Sequence, residues 1–130
     1  MTAKARAILA SAGILLALAT IFGALGTHAL RPRLSPDDMR IYSTAVEYHF
    51  YNALGLLGIG AVVRTLDSRL LTWAAALVVG GVVLFCGSLY AIAAGAPRTL
   101  GMVPPFGGVA LIAGWILFAV AMWRGRERLG

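Results

Sequence analysis

The chain has 130 residues, enough for a single domain. Hydrophobic residues make up 60% of it and charged residues 12%, whereas a soluble domain carries roughly twice that charge. The formal net charge of +6 comes from short clusters between apolar runs; without a contiguous basic face it argues against nucleic acid as a partner and for orientation in a bilayer by the positive-inside rule.

Residues 7–29 form the first apolar run, interrupted only by Ser11, Thr20, Thr27 and His28. At ~1.5 Å per residue it can cross a ~30 Å hydrocarbon core. The basic flank of Lys4 and Arg6 and the small-x-small stretch Ala24-Leu25-Gly26 also suit a cleaved signal peptide. The run exceeds the ~7–15 apolar residues of such a peptide, so a retained span is expected. Arg31-Pro32-Arg33 ends it, since the residue before proline disfavours helix. Ser35-Pro36-Asp37-Asp38 starts the next helix: serine as N-cap, proline in the first turn, and two carboxylates at the positive end of the dipole.

The second span is expected over residues 41–63, the third over 70–94 and the fourth over 103–123. The length of the third implies tilt or an overhang, and Pro104-Pro105 is tolerable at the start of the fourth because first-turn N–H groups lack helical partners. Gly87 and Gly114 are expected at helix contacts, where a missing side chain lets backbones approach. The fold class is therefore an all-α membrane protein, one domain over residues 1–130, with four transmembrane helices in an antiparallel bundle. Lys4, Arg6, Arg64, Arg69, Arg124, Arg126 and Arg128 fall on the side of the termini, and Arg31, Arg33, Arg40 and Arg98 on the other. This asymmetry predicts both termini in the cytoplasm, in a multi-pass membrane protein.

The costly residues gather in Thr44–Asn52 of the second span, read T-A-V-E-Y-H-F-Y-N. An ionisable group in hydrocarbon marks a functional site by default. At ~100° per residue, Arg40, Thr44, Glu47 and Tyr51 share one stripe, and Gly55 and Gly58 continue it. That stripe is expected to face the neighbouring helices, with Phe50, Leu54 and Leu57 turned to lipid. His49 points about 160° from Glu47, nearer Ala45 and Asn52. Thr27, His28, Ser88 and Tyr90 reach the same outer level from other helices, whereas the inner halves are nearly pure Ala, Leu, Val, Ile and Gly. The expectation is an outward-facing polar pocket built from Glu47, Tyr51, His49, Asn52, His28, Ser88 and Arg98. In it Glu47 is buried and held by a hydroxyl or an arginine, Arg98 rather than Arg40. The interfacial aromatic belt is the plainer account of the histidines, and Cys86 reads as a small hydrophobe.

No catalytic residue, metal site or cofactor motif is read from this pattern: the lone Cys86 has no partner, and there is no phosphate loop and no His-Glu-x-x-His. The expected role is a binding, accessory or assembly component, not an enzyme. Its partners are the lipid bilayer and either a second copy or another membrane protein, with any small-molecule ligand left open. The alternatives are a small transporter or proton-coupled channel, and a redox protein holding haem or quinone through His28 and His49.

G-A-L-G-T-H-A-L at Gly23–Leu30, T-A-V-E-Y-H-F-Y-N-A-L at Thr44–Leu54, L-F-C-G-S-L-Y at Leu84–Tyr90, and V-P-P-F-G-G at Val103–Gly108 with Gly114-Trp115 beyond together resemble the small YgdD/YwdK membrane proteins. That family is defined as a domain of unknown function. The resemblance covers nearly the whole chain and implies a four-helix inner-membrane protein without an agreed activity. Where the family usually has glutamine and then histidine, this chain has His49 and Asn52. Cys86 stands in place of a serine and Pro104 in place of a threonine. A metal or haem site resting on the family's second histidine therefore loses that ligand here, unless His49 replaces it from another face.

Overall fold

The computed structural model describes residues 1–129, with side chains through Gly125. Arg126 and Arg128, counted in the charge balance above, lie outside the described side chains. All regular structure in the described residues is helical. Helix α1 runs Ala3–Leu25 and continues into a π-helical turn, Gly26–Leu30; α2 is Pro36–Val63, α3 Arg69–Ala93 and α4 Pro104–Leu129. A short 3₁₀ turn, Arg98–Met102, precedes α4.

The caps follow the sequence signals. Thr2 Oγ1 accepts from the Ala5 N–H, and Ser35 Oγ from the Asp38 N–H, with Pro36, Asp37 and Asp38 in the first turn of α2. Helix α2 therefore begins five residues before the expected apolar span. Gly95, at φ +107°, reverses the chain after α3, a conformation only glycine adopts readily.

The helices stack in chain order: α1 on α2, α2 on α3, α3 on α4, with α1 only grazing α3. Their buried positions recur with a heptad's spacing. In α2 Tyr42, Ala45, His49, Asn52, Leu56, Ile59 and Val63 alternate three and four apart, with Ala53 and Gly60 buried beside them. In α1 the buried positions are Ala5, Ala12 and Ala19, followed by Gly26 in the π turn, one every seven residues. A 3.5-residue repeat keeps one seam of each helix on its neighbour, and the small residues of α1 bring its backbone close to α2. A Cβ on Gly26 would lie 2.7 Å from the Tyr42 ring, and one on Gly60 of α2 would lie 2.6 Å from Leu9.

Helix α4 packs on α3 through its own glycines. A Cβ on Gly114 would meet Val78 at 3.0 Å and the Ala74 carbonyl at 3.2 Å, and one on Gly107 would overlap the Phe85 backbone. Gly107 lies in the first turn of α4, whereas Phe85 lies eight residues before the end of α3. Helix α4 thus starts ~7–8 Å below the top of α3, and the 3₁₀ turn packs on both helices over the step. Gly87, expected at a contact, instead faces outward with no atom within 4 Å of a Cβ. Gly58 is likewise open, whereas Gly55 lies under the Trp115 ring.

Among the described residues, three stretches are long and apolar enough to cross a membrane: Ala3–Leu30, Arg69–Ala93 and Arg98–Gly125. Helix α2 falls short of that measure, and the stretch containing Glu47, His49 and Asn52 is the reason.

Candidate functional site

The α2 stretch presents two different faces. His49 is 3% exposed and Asn52 6%. Both sit on the heptad seam, so their polar groups must find partners inside the bundle. His49 Nδ1 lies 2.9 Å from the Tyr90 hydroxyl of α3. Its Nε2 is buried without a hydrogen-bond partner, so among the described residues the Tyr90 hydroxyl is the one polar group that engages the ring.

Asn52 is fully engaged. Its Oδ1 accepts from the Trp115 indole N–H of α4 at 2.9 Å, and its Nδ2 donates to the Tyr48 carbonyl at 2.8 Å. One helix therefore reaches α3 through His49 and α4 through Asn52. Around His49 the aromatic rings close together: Phe22 to Tyr90 with centroids 4.6 Å apart, and Tyr42 to Tyr90 at 5.3 Å. The Tyr42 hydroxyl donates to the Phe22 carbonyl, in the last turn of α1 before the π turn. Such π turns are common at functional sites, and here the turn carries Thr27 and His28.

The other expected residues do not join this cluster. Glu47 is exposed rather than buried, and so is Tyr51 at 61%. Of the stripe expected to face the neighbours, Arg40, Glu47, Tyr51 and Gly58 face outward while Gly55 meets α4, because the apolar seam that begins at Tyr42 and ends at Val63 occupies the inner side. Glu47 has no ion pair among the described residues. Arg98 instead binds Asp38 at 2.9 Å, tying the loop before α4 to the start of α2, and Arg40 pairs with Asp37 at 3.6 Å. Neither arginine holds Glu47. His28 is exposed on the π turn while His49 is buried, so the two histidines do not form one site. Ser88 is buried, but its hydroxyl is spent on the Leu84 and Phe85 carbonyls of its own helix. Cys86 is buried in the apolar core, as expected. Among the described residues, no three His, Cys, Asp or Glu side chains converge as a metal-binding group.

Sequence reasoning had not assigned a role to Trp115, Tyr42 or Tyr90 as partners of the polar core. Tyr42 lies on the buried seam of α2, whereas Tyr90 and Trp115 are half-buried on α3 and α4 and hydrogen-bond to α2 through His49 and Asn52.

Comparison with known proteins places these observations. The family described as "Protein of unknown function (DUF423)" matches residues 22–108. The UPF0382 membrane protein of Staphylococcus epidermidis is 40% identical over 114 residues, covering 88% of this chain and 91% of its own. The UPF0382 membrane protein YwdK of Bacillus subtilis is 38% identical over 105 residues, 80% of this chain and 85% of its own. The UPF0382 inner membrane protein YgdD of Escherichia coli is 34% identical over 102 residues, 78% of each chain. No solved structure matches.

Proposed function

Starting from the fact that the chain belongs to the DUF423 family of bacterial inner-membrane proteins, we propose that it is an accessory or assembly component that engages a membrane partner through the outward face of α2. The observation that carries this reading is Glu47. The buried polar side chains at its level, His49, Asn52 and Ser88, each have a partner inside the bundle, whereas this carboxylate lies on an exposed face beside Tyr48 and Tyr51, without a cation among the described residues. A charged side chain within a membrane helix is costly and normally faces protein or water. A neighbouring helix offering a hydroxyl or a basic group would supply what the monomer does not. Glu47 and Tyr51, expected to line a pocket, act in this reading as a contact surface. His49 and Asn52 hold the helix that presents it.

The reading includes a four-pass topology with both termini in the cytoplasm. It is supported by the packing of α2 along the length of α1, from Tyr42 at Gly26 to Gly60 at Leu9: a helix alongside a spanning neighbour at both ends spans with it. The excess of basic residues at the terminal end sets the direction. Fully buried Leu56, Ile59, Leu71 and Val78 fill the inner half, which weighs against a transporter or channel made from one copy.

A photoreactive amino acid at position 47 tests the proposal in cells. A discrete adduct is expected there, and none from position 112, an exposed apolar position on α4. Adduct mass tells a second copy from another protein. Lipid-only labelling at both positions removes the proposal.

A further inference from the structure

Helices α1 and α3 both lie on α2 but hardly touch one another, and the two ends of the gap between them differ. At one end Phe22 and Tyr90 close it, ring against ring. At the terminal end it stays open as a groove of about 500 Å³ walled by Lys4, Ala7, Ser11, Thr72, Ala76 and Gly80, with Leu56 of α2 among its lining residues. Small side chains leave this space: Ala7 and Ala76 are exposed, and a Cβ on Gly80 would meet no atom within 4 Å. We infer that this groove is a phospholipid site, holding one acyl chain of an anionic lipid from the leaflet at the terminal end. On the topology proposed above, that is the cytoplasmic leaflet.

Length is the first argument. From Lys4 to Ser11 on α1, and from Thr72 to Gly80 on α3, the groove runs ~10–12 Å along the helices. One leaflet's hydrocarbon is ~15 Å deep, half of the ~30 Å core. The groove stops near mid-membrane, which suits a chain entering from one leaflet. A partner helix would need a track through both.

Polarity is the second. The floor and inner walls are apolar, but the mouth carries Lys4, placed for a lipid phosphate. Lys4 already lies 3.7 Å from Asp67, with both side chains largely exposed, and such a pair holds weakly enough to share its cation with an anion. One turn into α3, the Thr72 hydroxyl is buried without any hydrogen-bond partner. Threonine hydroxyls in membrane helices ordinarily bond a carbonyl of their own helix, as Thr20 does to Leu16. Thr72 lies just below the level of Lys4 and lines the groove. Turning that hydroxyl into the groove would set it against a lipid ester carbonyl, which would accept its proton.

Native mass spectrometry of the full chain, released from mild detergent with either dioleoyl-phosphatidylglycerol or dioleoyl-phosphatidylcholine added, tests the site. One phosphatidylglycerol is expected to be retained, preferred about fivefold over phosphatidylcholine, the increment of one lysine near an anionic lipid. Lys4→Gln is expected to erase the preference while retention of a lipid persists. Gly80→Phe places a ring in the groove and is expected to lower occupancy tenfold or more. Ala76→Phe, at an exposed position, repeats that test should Gly80→Phe fold poorly. Ile14→Phe, on an exposed face of α1 outside the groove, should leave binding unchanged. Unaltered retention in both groove variants, or equal retention of the two lipids by the wild-type chain, overturns the assignment. A stable dimer that excludes lipid does so as well, by naming a second copy as the occupant. Crosslinking at position 47 reads a different face and is indifferent to these outcomes.

Discussion

Replacing Asn52 with leucine separates the packing of the α2 seam from its hydrogen bonds. Leucine is close in volume and suits a seam position next to Leu56. The change removes the acceptor of the Trp115 indole N–H and the donor to the Tyr48 carbonyl. The carbonyl keeps its helical role, but the half-buried indole is left without a partner. An orphaned donor of this kind costs ~1–3 kcal/mol, whereas the net worth of a side-chain bond between membrane helices averages ~0.6 and reaches ~1.7 kcal/mol. Asn52→Leu should therefore destabilise the bundle by ~1–3 kcal/mol. Trp115→Phe should cost a similar amount, through the lost indole ring over Gly55 and the unpaired Asn52 oxygen. In the double variant neither orphan remains, so its cost should fall below the sum of the singles by ~0.6–1.7 kcal/mol. Reversible unfolding in mixed micelles, followed by tryptophan fluorescence or far-UV circular dichroism, measures all four corners of the cycle. Strict additivity, within ~0.3 kcal/mol, would refute the claim that this bond ties α2 to α4.

Gly114→Leu should lower thermal stability in detergent by several degrees, since a Cβ alone meets Val78, Leu77 and the Ala74 carbonyl at 3.0–3.2 Å, whereas Gly87→Leu should leave the melting curve in place; equal losses would contradict the α3–α4 packing. Glu47→Gln and Glu47→Leu should each shift stability of the purified monomer by less than ~0.5 kcal/mol, as exposed positions do, and a loss of ~3–5 kcal/mol would reveal the buried ion pair that the structure does not contain. Tyr90→Phe leaves His49 Nδ1 unpaired in the core and should cost ~1–3 kcal/mol, measured by the same unfolding assay, and His49→Phe in that background should recover part of it. A C-terminal alkaline phosphatase fusion should be inactive and a C-terminal green fluorescent protein fusion bright in a bacterial host; the opposite pair of readings would reverse the topology.

The helices and their caps were legible because Ser35-Pro36-Asp37-Asp38 and the Arg31-Pro32-Arg33 stop are local signals that need no tertiary partner. The faces were not. In α2 two seams compete: Arg40, Thr44, Glu47 and Tyr51 on one side, and Tyr42, Ala45, His49, Asn52, Leu56, Ile59 and Val63 on the other. Choosing the first rests on the rule that polar residues turn inward in a membrane. Choosing the second needs only the apolar 3–4 alternation carried through to Val63, which accommodates two polar residues because Tyr90 and Trp115 wait opposite them. Those partners come from other helices, and no spacing within α2 announces them. The step between α3 and α4 was hidden for a related reason. Pro104-Pro105 shows where α4 begins, but the depth of that start is set by Gly107 against Phe85, a contact between residues 22 positions apart.

The two cross-links of the polar core also impose an order on synthesis. Tyr42 and Phe22 belong to the first hairpin, so their bond can form as soon as α1 and α2 are in the membrane. His49 and Asn52 find Tyr90 and Trp115 only in the second hairpin. Until α3 and then α4 leave the ribosome, the newly inserted α2 carries an imidazole and a carboxamide with no side-chain partner, in a solvent that offers none. A chain that stops after the first hairpin leaves both groups without those partners, at the desolvation cost of unpaired polar groups in hydrocarbon. Tyr90 meets His49 once α3 is in place, and the Trp115 indole meets Asn52 only when α4 follows.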